Sequence, residues 1–248
     1  MNRPRSVAII PSRLESSRLP RKALADICGL PMVVHVFRRC ELAESLDEVF
    51  VATDSDEIKT VVEQYGGKPI MTSNHHENGT ERMAEAARKI EADIFVNVQG
   101  DEALVKPEHI DAAVNALIQD ESINVAILVN EFSKRNSPSD IKTVLDEKNN
   151  VMYLSRSDIP SDARTENPPL LKAYHILPFR KDFLLKYADW GKGCLEQIEF
   201  HEHLRILEKG YTIRAVKVDS SAISVDTLND LETVRKTMET DDLFSIYG

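Results

Sequence analysis

Residues 6–22, SVAIIPSRLESSRLPRK, join a short apolar run to a cluster of cations. The run SVAII is typical of a strand buried on both faces, as in a parallel sheet. The segment behind it contains four cations and three hydroxyls: Arg13, Arg18, Arg21, Lys22, Ser12, Ser16 and Ser17. It has no common glycine-rich phosphate motif, yet guanidinium groups, hydroxyls and backbone N–H groups together suit a triphosphate. A solvated basic loop is the alternative interpretation.

Further along, short apolar runs alternate with helical patterns as far as about residue 130. The candidate strands after the first are EVFVATD (48–54), KPIMTS (68–73), DIFVNVQGDE (93–102) and NVAILV (124–129). The candidate helices are PMVVHVFRRCELAE (31–44), SDEIKTVVEQYGG (55–67), GTERMAEAARKIEA (79–92) and KPEHIDAAVNALIQD (106–120). This alternation predicts an α/β fold with three layers and a mostly parallel sheet. In such a sheet ligands bind at the carboxyl ends of the strands, where the basic segment lies.

Beyond about residue 132 the sequence becomes rich in predicted strands. IKTVLDEKNNVMYLSRS (141–157) predicts two strands around a polar turn at 146–150, and LKAYHILPF (171–179) predicts a third. CLEQIEFHEHLRILEKG (194–210) predicts one amphipathic helix, and a last helix follows Thr227, its predicted cap. We therefore expect a single domain spanning residues 1–248, in which residues 133–215 approximately form an inserted, β-rich subdomain.

The bulk composition excludes several classes of protein. A formal net charge of −10 argues against a nucleic-acid partner, because binding to phosphate backbones needs a basic face. Three widely spaced cysteines fit neither a disulfide framework nor a zinc motif. The first apolar run is too short for a signal peptide, and no stretch approaches the roughly 20 apolar residues of a membrane span. We expect a cytoplasmic protein that does not associate with membranes.

Acidic side chains follow two further predicted strands. Asp101 and Glu102 come directly after the apolar strand at 93–98, and Asp226 lies at a strand-to-helix junction far along the chain. A carboxylate at the end of a buried strand needs a partner or a metal, and aspartate is a usual ligand for Mg²⁺ beside a triphosphate. Together with the basic segment, these residues indicate metal-assisted phosphoryl or nucleotidyl transfer. Turn or helix-capping roles for the aspartates are the alternative.

The segment MTSNHHENGTER (71–82) contains a predicted helix start at Gly79 and Thr80, whose free N–H groups suit a base, a ribose or a phosphate. Its two adjacent histidines diverge, and His201 and His203, two positions apart on one predicted helix, face different directions. We therefore predict no zinc site. Since no G-x-S-x-G motif occurs, Ser-His-Asp catalysis has little support.

Taken together, five motifs resemble those of the 3-deoxy-manno-octulosonate cytidylyltransferases: IIPSRLESSRLPRKALADICGLPMVVHV, VATDSDEI, MTSNHHENGTER, VNVQGDE and VDTLNDLETV. The resemblance extends from residue 6 to about residue 238. It implies a nucleotidyltransferase fold, a homodimer and Mg²⁺ as cofactor. It also implies transfer of a cytidylyl group from CTP to a keto-sugar acid, a 3-deoxy-octulosonic acid, with release of pyrophosphate, in lipopolysaccharide biosynthesis. The region 133–215 would then form the sugar site and the dimer contact.

The resemblance implies a role for individual residues as well. The catalytic residues would be Lys22, Arg13 and Asp101, and Mg²⁺ would bind Asp101 and Asp226. The nucleotide site would contain Ser12, Arg13, Arg18, Lys22, Met71, Thr72, Gly79, Thr80, Arg82 and Gln99. The sugar site would contain Gln99, Arg156, Ala173, Tyr174, Leu177, Arg180, Glu202 and His203.

The sequence departs from the family pattern mainly on the sugar side. It reads AYHILPFR at 173–180 where the family usually reads HLGIYGYR, and His203 stands where Gln is usual. In the basic segment, Arg21 stands where the family usually has Gly. The acceptor could therefore be 8-amino-3,8-dideoxy-manno-octulosonate, or another keto-sugar acid such as a sialic acid. A glycosyltransferase of similar fold and an inactive nucleotide-binding module are more distant alternatives, and the intact phosphate and metal motifs weigh against the latter.

Overall fold

The computed structural model describes residues 3–16 and 18–248, so that Ser17 of the basic segment lies outside the described residues. The strands are β1 (Ser6–Ser12), β2 (Asp26–Ile27), β3 (Leu30–Pro31), β4 (Glu48–Thr53), β5 (Pro69–Met71), β6 (Ile94–Val98), β7 (Ala126–Phe132), β8 (Lys142–Leu145), β9 (Val151–Ser155), β10 (Leu170–Tyr174), β11 (Ile176–Arg180) and β12 (Arg214–Lys217). The helices are α1 (Met32–Glu41), α2 (Asp56–Gln64), α3 (Gly79–Ala87), α4 (Pro107–Gln119), α5 (Lys181–Ala188), α6 (Cys194–Glu199), α7 (Leu204–Glu208), α8 (Leu228–Met238) and α9 (Phe244–Tyr247), with a short 3-10 helix at Lys22–Leu24. Within these ranges, no helix has the length and apolar character needed to cross a membrane.

The first apolar run forms the central strand of a five-stranded sheet with the order β11-β6-β1-β4-β5. β1 runs parallel to β4 and β6, and β5 runs parallel to β4. β11 pairs with β6 in the antiparallel sense at one edge. The carboxyl ends of the four parallel strands therefore share one edge of the sheet, and the predicted α/β fold with a mostly parallel sheet is confirmed.

Helices cover both faces of this sheet, which explains the continuous apolar run in β1. Val7 and Ile9 pack in the core that includes residues of α3 and α5, whereas Ala8 and Ile10 pack in the core with α1, α2 and α4. All four side chains are completely buried. Because successive side chains of a strand point to opposite faces, burial on both faces requires apolar residues at every position. The predicted three-layer arrangement is thus confirmed.

The second sheet has the order β12-β7-β10-β8-β9 and contains the hairpin predicted around residues 146–150, between β8 and β9. Its strands are antiparallel except for β12, which runs parallel to β7. The sheet begins at Ala126 and ends at Lys217, and so includes strands on both sides of the range 133–215. The assignment of that range as a sugar-binding and dimerisation subdomain stays a prediction.

The apolar stretch at 171–179 forms two strands in two different sheets, and the prediction of one strand is wrong. Tyr174 pairs with Leu128 in the second sheet, whereas Ile176 pairs with Val98 in the first. The single residue between β10 and β11, His175, lies where the chain passes from one sheet to the other. Apolar periodicity reports only that both parts are buried, so it does not separate them.

The predicted helix at 194–210 is likewise wrong, because two short helices, α6 and α7, take its place. Phe200 ends α6 in the left-handed conformation, with φ at 48°. The Glu208 carboxylate accepts hydrogen bonds from N–H groups in the first turn of α6, at 2.9 and 3.3 Å. Arg205 on α7 donates to the Glu196 carboxylate on α6 at 2.6 and 2.7 Å. These polar contacts fold the two helices against each other, and a continuous helix would lose them.

Candidate active site

A cleft of about 270 Å³ lies at the carboxyl edge of the first sheet. Its wall is formed by the basic loop behind β1, Met32 at the start of α1, the start of α3 with the residues before it, residues 99–101 behind β6, and Asp226 before α8. The predicted site residues that line it are Ser12, Arg13, Arg18, Lys22, Gly79, Arg82, Gln99, Asp101 and Asp226. The fold therefore brings cations and carboxylates from distant motifs into one cavity.

Lys22 connects the two predicted metal ligands. Its Nζ lies 2.5 Å from Asp101 Oδ2 and 3.3 Å from Asp226 Oδ1. Arg18 supplies a second cation, 2.8 Å from the same Asp226 oxygen. The backbone N–H of Val225 donates to the carbonyl of Asp101 at 3.0 Å, which holds the two acidic segments side by side. Two carboxylates that reach one ammonium group lie close together, and the cations offset their mutual repulsion.

The two carboxylates also fit the requirements of a Mg²⁺ site. The side chains of Asp101 and Asp226 are 24% and 27% exposed, so each retains an accessible oxygen. Mg²⁺ is usually bound by one or two carboxylates together with substrate phosphates and water. The donor set of these two carboxylates therefore fits Mg²⁺.

Ser12 and Gly100 form a closely packed part of the cleft. Ser12 is 5% exposed, and its Oγ has no hydrogen-bond partner among the described residues. A Cβ on Gly100 would lie 2.6 Å from that Oγ and 2.9 Å from the Pro11 carbonyl oxygen, so a larger residue does not fit. A buried hydroxyl without a partner is costly, and the predicted phosphate contact of Ser12 would supply one. Gly100 was not predicted; its only signal is its place in QGDE, directly behind a strand.

Arg21 stands apart from the other cations of the basic loop. It is absent from the described lining of the cleft, and its guanidinium pairs with the Glu57 carboxylate on α2, with one donor distance of 2.9 Å. Its backbone has a φ of 58°, in the left-handed region that glycine adopts without strain. The glycine that the resemblance gives as usual at this position would adopt this conformation without strain.

Arg82 is a buried cation that joins two strand ends to α3. It is 4% exposed and donates to Asp54 Oδ2 at 3.0 Å and to Thr72 Oγ1 at 2.7 Å. Met71 ends β5 and is 37% exposed, and neither it nor Thr72 belongs to the described lining of the cleft. Asn78, which was not predicted, caps α3 and does line the cleft. Its signal was the Asn-Gly pair that opens the predicted helix.

Thr80 connects the cleft to the predicted sugar side. Its N–H donates to Glu202 Oε2 at 3.3 Å, and its Oγ1 lies 3.4 Å from His203 Nε2. The Asn97 side chain donates to the same Oγ1 at 3.2 Å and accepts from Gln99 at 3.3 Å. Since Gln99 lines the cleft, a continuous polar path leads from the cleft to Glu202 and His203.

Burial perturbs two carboxyl groups beside the cleft. It raises the pKa of Glu202 to about 7, although hydrogen bonds from Thr80 oppose the shift. It raises the pKa of Glu102 to about 8, and the charge of Asp101 adds to this effect while a hydrogen bond from Ser224 opposes it. Glu102 is 2% exposed, so the two adjacent acids of QGDE differ: one lines the cleft and the other lies in the interior.

Arg156 and Arg180, which the resemblance implies for the sugar site, do not line the cleft. The Arg156 guanidinium donates at 2.7, 2.7 and 3.0 Å to the carbonyls of Pro138, Glu199 and Phe200. The Arg180 guanidinium donates at 2.7, 3.2 and 2.9 Å to the carbonyls of Leu117, Asp120 and Ile123. Arg180 pairs with Ile94 at the start of β6, roughly 13 Å from the end that bears QGDE. Both guanidinium groups therefore connect separate segments of the main chain through hydrogen bonds to carbonyl groups.

Three other predicted sugar residues, Ala173, Tyr174 and Leu177, lie in the core and are at most 1% exposed. Leu177 pairs with Asn97 in the sheet register and therefore lies next to the polar path. Tyr174 packs against the ring of His109. These three residues do not line the cleft.

Three histidines, one of them the predicted sugar residue His203, form a cluster that their spacing did not predict. His175, between β10 and β11, meets His201 and His203 on the connection between α6 and α7. Burial lowers the pKa of each, that of His175 to about 4, so the imidazoles are neutral at pH 7. The prediction of no zinc site assumed one continuous helix through 201 and 203, and that assumption is wrong because the helix ends at Phe200.

A basic loop behind the central strand and two convergent aspartates at the carboxyl edge of a three-layer sheet define a nucleotide-dependent transferase. The comparison with known families is more specific, because residues 7–217 match the cytidylyltransferases. The chain belongs to this family and is a cytidylyltransferase.

Individual relatives agree with this assignment along nearly the whole chain. The 3-deoxy-manno-octulosonate cytidylyltransferase of Geotalea uraniireducens (strain Rf4) is 41% identical, covering 94% of this chain and 98% of the relative. That of Escherichia coli is 39% identical, covering 94% and 96%. A solved CMP:2-keto-3-deoxy-manno-octonic acid synthetase complexed with CTP has a TM-score of 0.91 at 38% identity, covering 95% and 98%. A Leptospira borgpetersenii cytidylyltransferase, at 16% identity and a TM-score of 0.67 over 98% and 93%, shares the fold. The resemblance of the sequence motifs is confirmed.

Proposed function

We propose that this chain transfers the cytidylyl group of CTP to a 3-deoxy-octulosonic acid and releases pyrophosphate. One observation carries the proposal: the Lys22 ammonium contacts both Asp101 and Asp226 in a cleft bordered by a basic loop. The nucleotide is supported by the relative solved in complex with CTP. The acceptor is supported by the names of the relatives that are 41% and 39% identical.

In this proposal the basic loop holds the triphosphate. Arg13 and Arg18 would donate charge-assisted hydrogen bonds to phosphate oxygens, and the Ser12 hydroxyl would gain the partner that it lacks in the protein. Asp101 and Asp226 would hold Mg²⁺, which when bound neutralises charge on the phosphates. Fixing the nucleotide beside the acceptor replaces a bimolecular encounter with a positioned reaction and lowers its barrier.

The reaction joins the anomeric hydroxyl oxygen of the sugar acid to the α-phosphorus of CTP. One O–P bond forms, the bond from the α-phosphorus to the pyrophosphate oxygen breaks, and the hydroxyl proton passes to solvent. Lys22 would offset the negative charge that grows on the departing pyrophosphate, and a fixed cation acts most strongly where charge develops in the transition state. The Lys22 ammonium contacts both aspartates and would therefore lie beside a metal ion that they hold.

The sugar side favours a second candidate acceptor, 8-amino-3,8-dideoxy-manno-octulosonate. Ala173 stands where the resembling family usually has histidine, so one imidazole is lost. Glu202, 16% exposed in its side chain, lies on this side and contacts Thr80. An ammonium group on the sugar would be stabilised by a carboxylate such as that of Glu202, because charge-assisted hydrogen bonds are the stronger ones.

Pyrophosphate release, measured with CTP, Mg²⁺ and a panel of acceptors, tests both candidates. The panel contains the unsubstituted octulosonic acid, its 8-amino analogue and a sialic acid, with a nucleotide-sugar donor as the glycosyltransferase control. We expect release with an octulosonic acid and its loss in Asp101→Asn, whereas Asp189→Asn, an exposed control, keeps it. Full activity of Asp101→Asn would contradict the mechanism. Equal or better kcat/KM for the unsubstituted sugar would contradict the second candidate.

We further propose a homodimer that acts in the cytoplasm, where CTP is available, in lipopolysaccharide biosynthesis. Three large apolar side chains in the range 133–215, Met152, Ile198 and Phe200, are 63%, 67% and 81% exposed. Exposed apolar side chains that cluster into patches mark interaction surfaces. Light scattering should show a dimer for the native chain and a monomer for Phe200→Asp. The control Leu228→Asp, at an exposed leucine outside this range, should stay dimeric; a monomeric native chain contradicts the proposal.

A further inference from the structure

The histidine cluster combines two parts of the chain that meet only in the folded protein. His175 occupies the passage from the second sheet to the first, and His201 and His203 lie on the connection between α6 and α7. The ring centroids are 5.3 Å apart for His175 and His201, 5.9 Å for His175 and His203, and 5.1 Å for His201 and His203. One ring nitrogen from each side chain lies within 4.8 Å of the other two.

Two of these imidazoles carry buried nitrogen atoms without a partner. His201 is 7% exposed and His203 is 1% exposed, and His201 Nε2 and His203 Nδ1 have no hydrogen-bond partner among the described residues. A buried polar atom without a partner costs stability, so its presence in two adjacent rings calls for a ligand. The other nitrogen of His203 lies 3.4 Å from Thr80 Oγ1, a contact that orients the ring as an outer partner orients a metal-bound histidine.

We propose that His175, His201 and His203 form a binding site for a divalent late-transition-metal cation, with Zn²⁺ as the representative ion. Three histidine nitrogens are an established protein ligand set for zinc, and they leave a fourth coordination position open. In a tetrahedral site with Zn–N bonds of about 2.0–2.1 Å, the nitrogens lie roughly 3.3 Å apart. In the observed arrangement the nitrogens lie within 4.8 Å of one another, so binding would draw the three rings closer together. His175 is partly exposed, which gives the ion a route of entry.

The chemistry of the donors separates this site from the predicted magnesium site. Imidazole nitrogen is a preferred ligand for Zn²⁺, Cu²⁺ and Ni²⁺, whereas Mg²⁺ selects the carboxylate oxygens of Asp101 and Asp226. Lys172 and Arg156 are positive neighbours that act against a cation here. Glu202 Oε1 lies 3.8 Å from His203 Nε2, and a bound cation would favour the ionised form of this carboxyl group.

The location suggests what the ion would do. It would join the α6–α7 connection to the passage between the two sheets, next to the polar path that runs through Thr80 and Asn97 to Gln99 at the cleft. A metal there would hold the sugar side in one arrangement. Its open position would take water or an oxygen of a bound acid.

Zinc binding to the untagged full-length chain tests the proposal without nucleotide or sugar. Isothermal titration with Zn²⁺, in excess Mg²⁺ to occupy the oxygen-ligand site, should give one ion per chain. Substitution with Co²⁺ should give the intense visible absorption of a four-coordinate ion. Loss of a ligand should weaken binding at least about a hundredfold, because loss of an outer-shell partner alone typically costs 10- to 100-fold.

The variants are His175→Gly, His201→Gln and His203→Gln, with His75→Gln, at an exposed histidine elsewhere, as the matched control. His175→Gly changes a partly exposed position and keeps the test valid if the variants at the buried histidines do not fold. The proposal is supported if His175→Gly loses both the zinc isotherm and the cobalt absorption while His75→Gln keeps them. It is overturned if the native chain shows no saturable binding, or if His175→Gly binds as tightly as the native chain. Since neither readout uses turnover, these outcomes are independent of the proposed function.

Discussion

Lys22 and Asp101 are 79 residues apart in the sequence, and their charged groups lie 2.5 Å apart in the fold. The same ammonium group lies 3.3 Å from Asp226, which is 204 residues away. Lys22 is 17% exposed in its side chain, so the contact is partly shielded from water and its charge acts at short range. This contact joins the basic loop behind β1 to both predicted metal ligands.

Replacing Lys22 by methionine keeps the apolar stem and removes the charge. We expect kcat to fall by roughly 10²–10³-fold, since a fixed charge aimed at a developing charge typically contributes that much. Steady-state pyrophosphate release measures the loss. Lys68→Met, which breaks an exposed pair with Glu48, is the matched control and should keep its kcat. If Lys22→Met also kept the native kcat, the role of Lys22 would have to be abandoned.

Arg21→Gly should change activity little. The substitution removes an exposed pair with Glu57, worth about 0–1 kcal/mol, and relieves a left-handed backbone at φ 58°. The two effects oppose each other, so the free energy of unfolding should stay within about 1 kcal/mol of the native value. Urea denaturation and pyrophosphate release measure the two quantities. Arg18→Gly, which removes one of the two cations that contact Asp226, should reduce activity; a larger loss in Arg21→Gly than in Arg18→Gly would contradict this assignment.

Gly100→Ala should damage the cleft by steric overlap. The new Cβ would lie 2.6 Å from Ser12 Oγ and 2.9 Å from the Pro11 carbonyl oxygen, and the carbonyl belongs to the central strand. We expect a loss of about 1–3 kcal/mol in the free energy of unfolding and a clear drop in kcat/KM for CTP. Gly191→Ala is the control, because a Cβ there has no neighbour within 4 Å. Equal behaviour of the two variants would show that the cleft tolerates the extra methyl group.

Glu85 on α3 should make stability depend on pH. Burial tends to raise its pKa, but hydrogen bonds from the Ser73 N–H, His76 and Lys89 prevail and lower it to about 2. Because the folded pKa lies below the unfolded value, the stabilisation is present above pH 4.5 and is lost as the pH falls towards 2. Glu85→Gln should therefore lower the free energy of unfolding by roughly 1–3 kcal/mol at pH 7, and by progressively less below pH 4.5.

Urea denaturation at pH 7, 5, 4 and 3 measures this difference between native and Glu85→Gln chains. Glu63→Gln, at an exposed position of α2, is the control and should differ little from the native chain at any of these values. If Glu85→Gln lowered the free energy of unfolding by the same amount at pH 7 and at pH 3, the ionised Glu85 carboxylate would not be the source of the stabilisation.

Features that depend on neighbouring residues were predictable from the sequence. The unbroken apolar run in β1 follows from burial on both faces of a sheet, and the cap of α8 follows from Thr227 and Asp230 three residues later. The position of QGDE directly behind β6 predicted where its acidic residues would lie. Each of these signals reflects backbone geometry within a few residues.

Features that depend on which sheet or helix a segment meets were not predictable. The stretch at 171–179 has the apolar pattern of one strand but divides at His175 between two sheets. The stretch at 194–210 has the pattern of one helix, but the first helix in it, α6, ends at Phe200. Glu208 and Arg205, from the second half of the stretch, fold back and make polar contacts with α6. Periodicity records burial, and burial alone does not identify the partner.

The sequence by itself determined the α/β class, the basic loop at the end of β1 and the acidic residues behind β6 and before α8. These follow from patterns of apolar, charged and capping residues that act locally along the chain. Only the tertiary structure decided that Lys22 contacts both Asp101 and Asp226. It also decided that the guanidinium groups of Arg156 and Arg180 donate hydrogen bonds to main-chain carbonyls, and that three histidines come together. The physical reason is that a long polar side chain bonds to whatever partner the folded chain brings within about 3 Å, and that partner is set by distant packing.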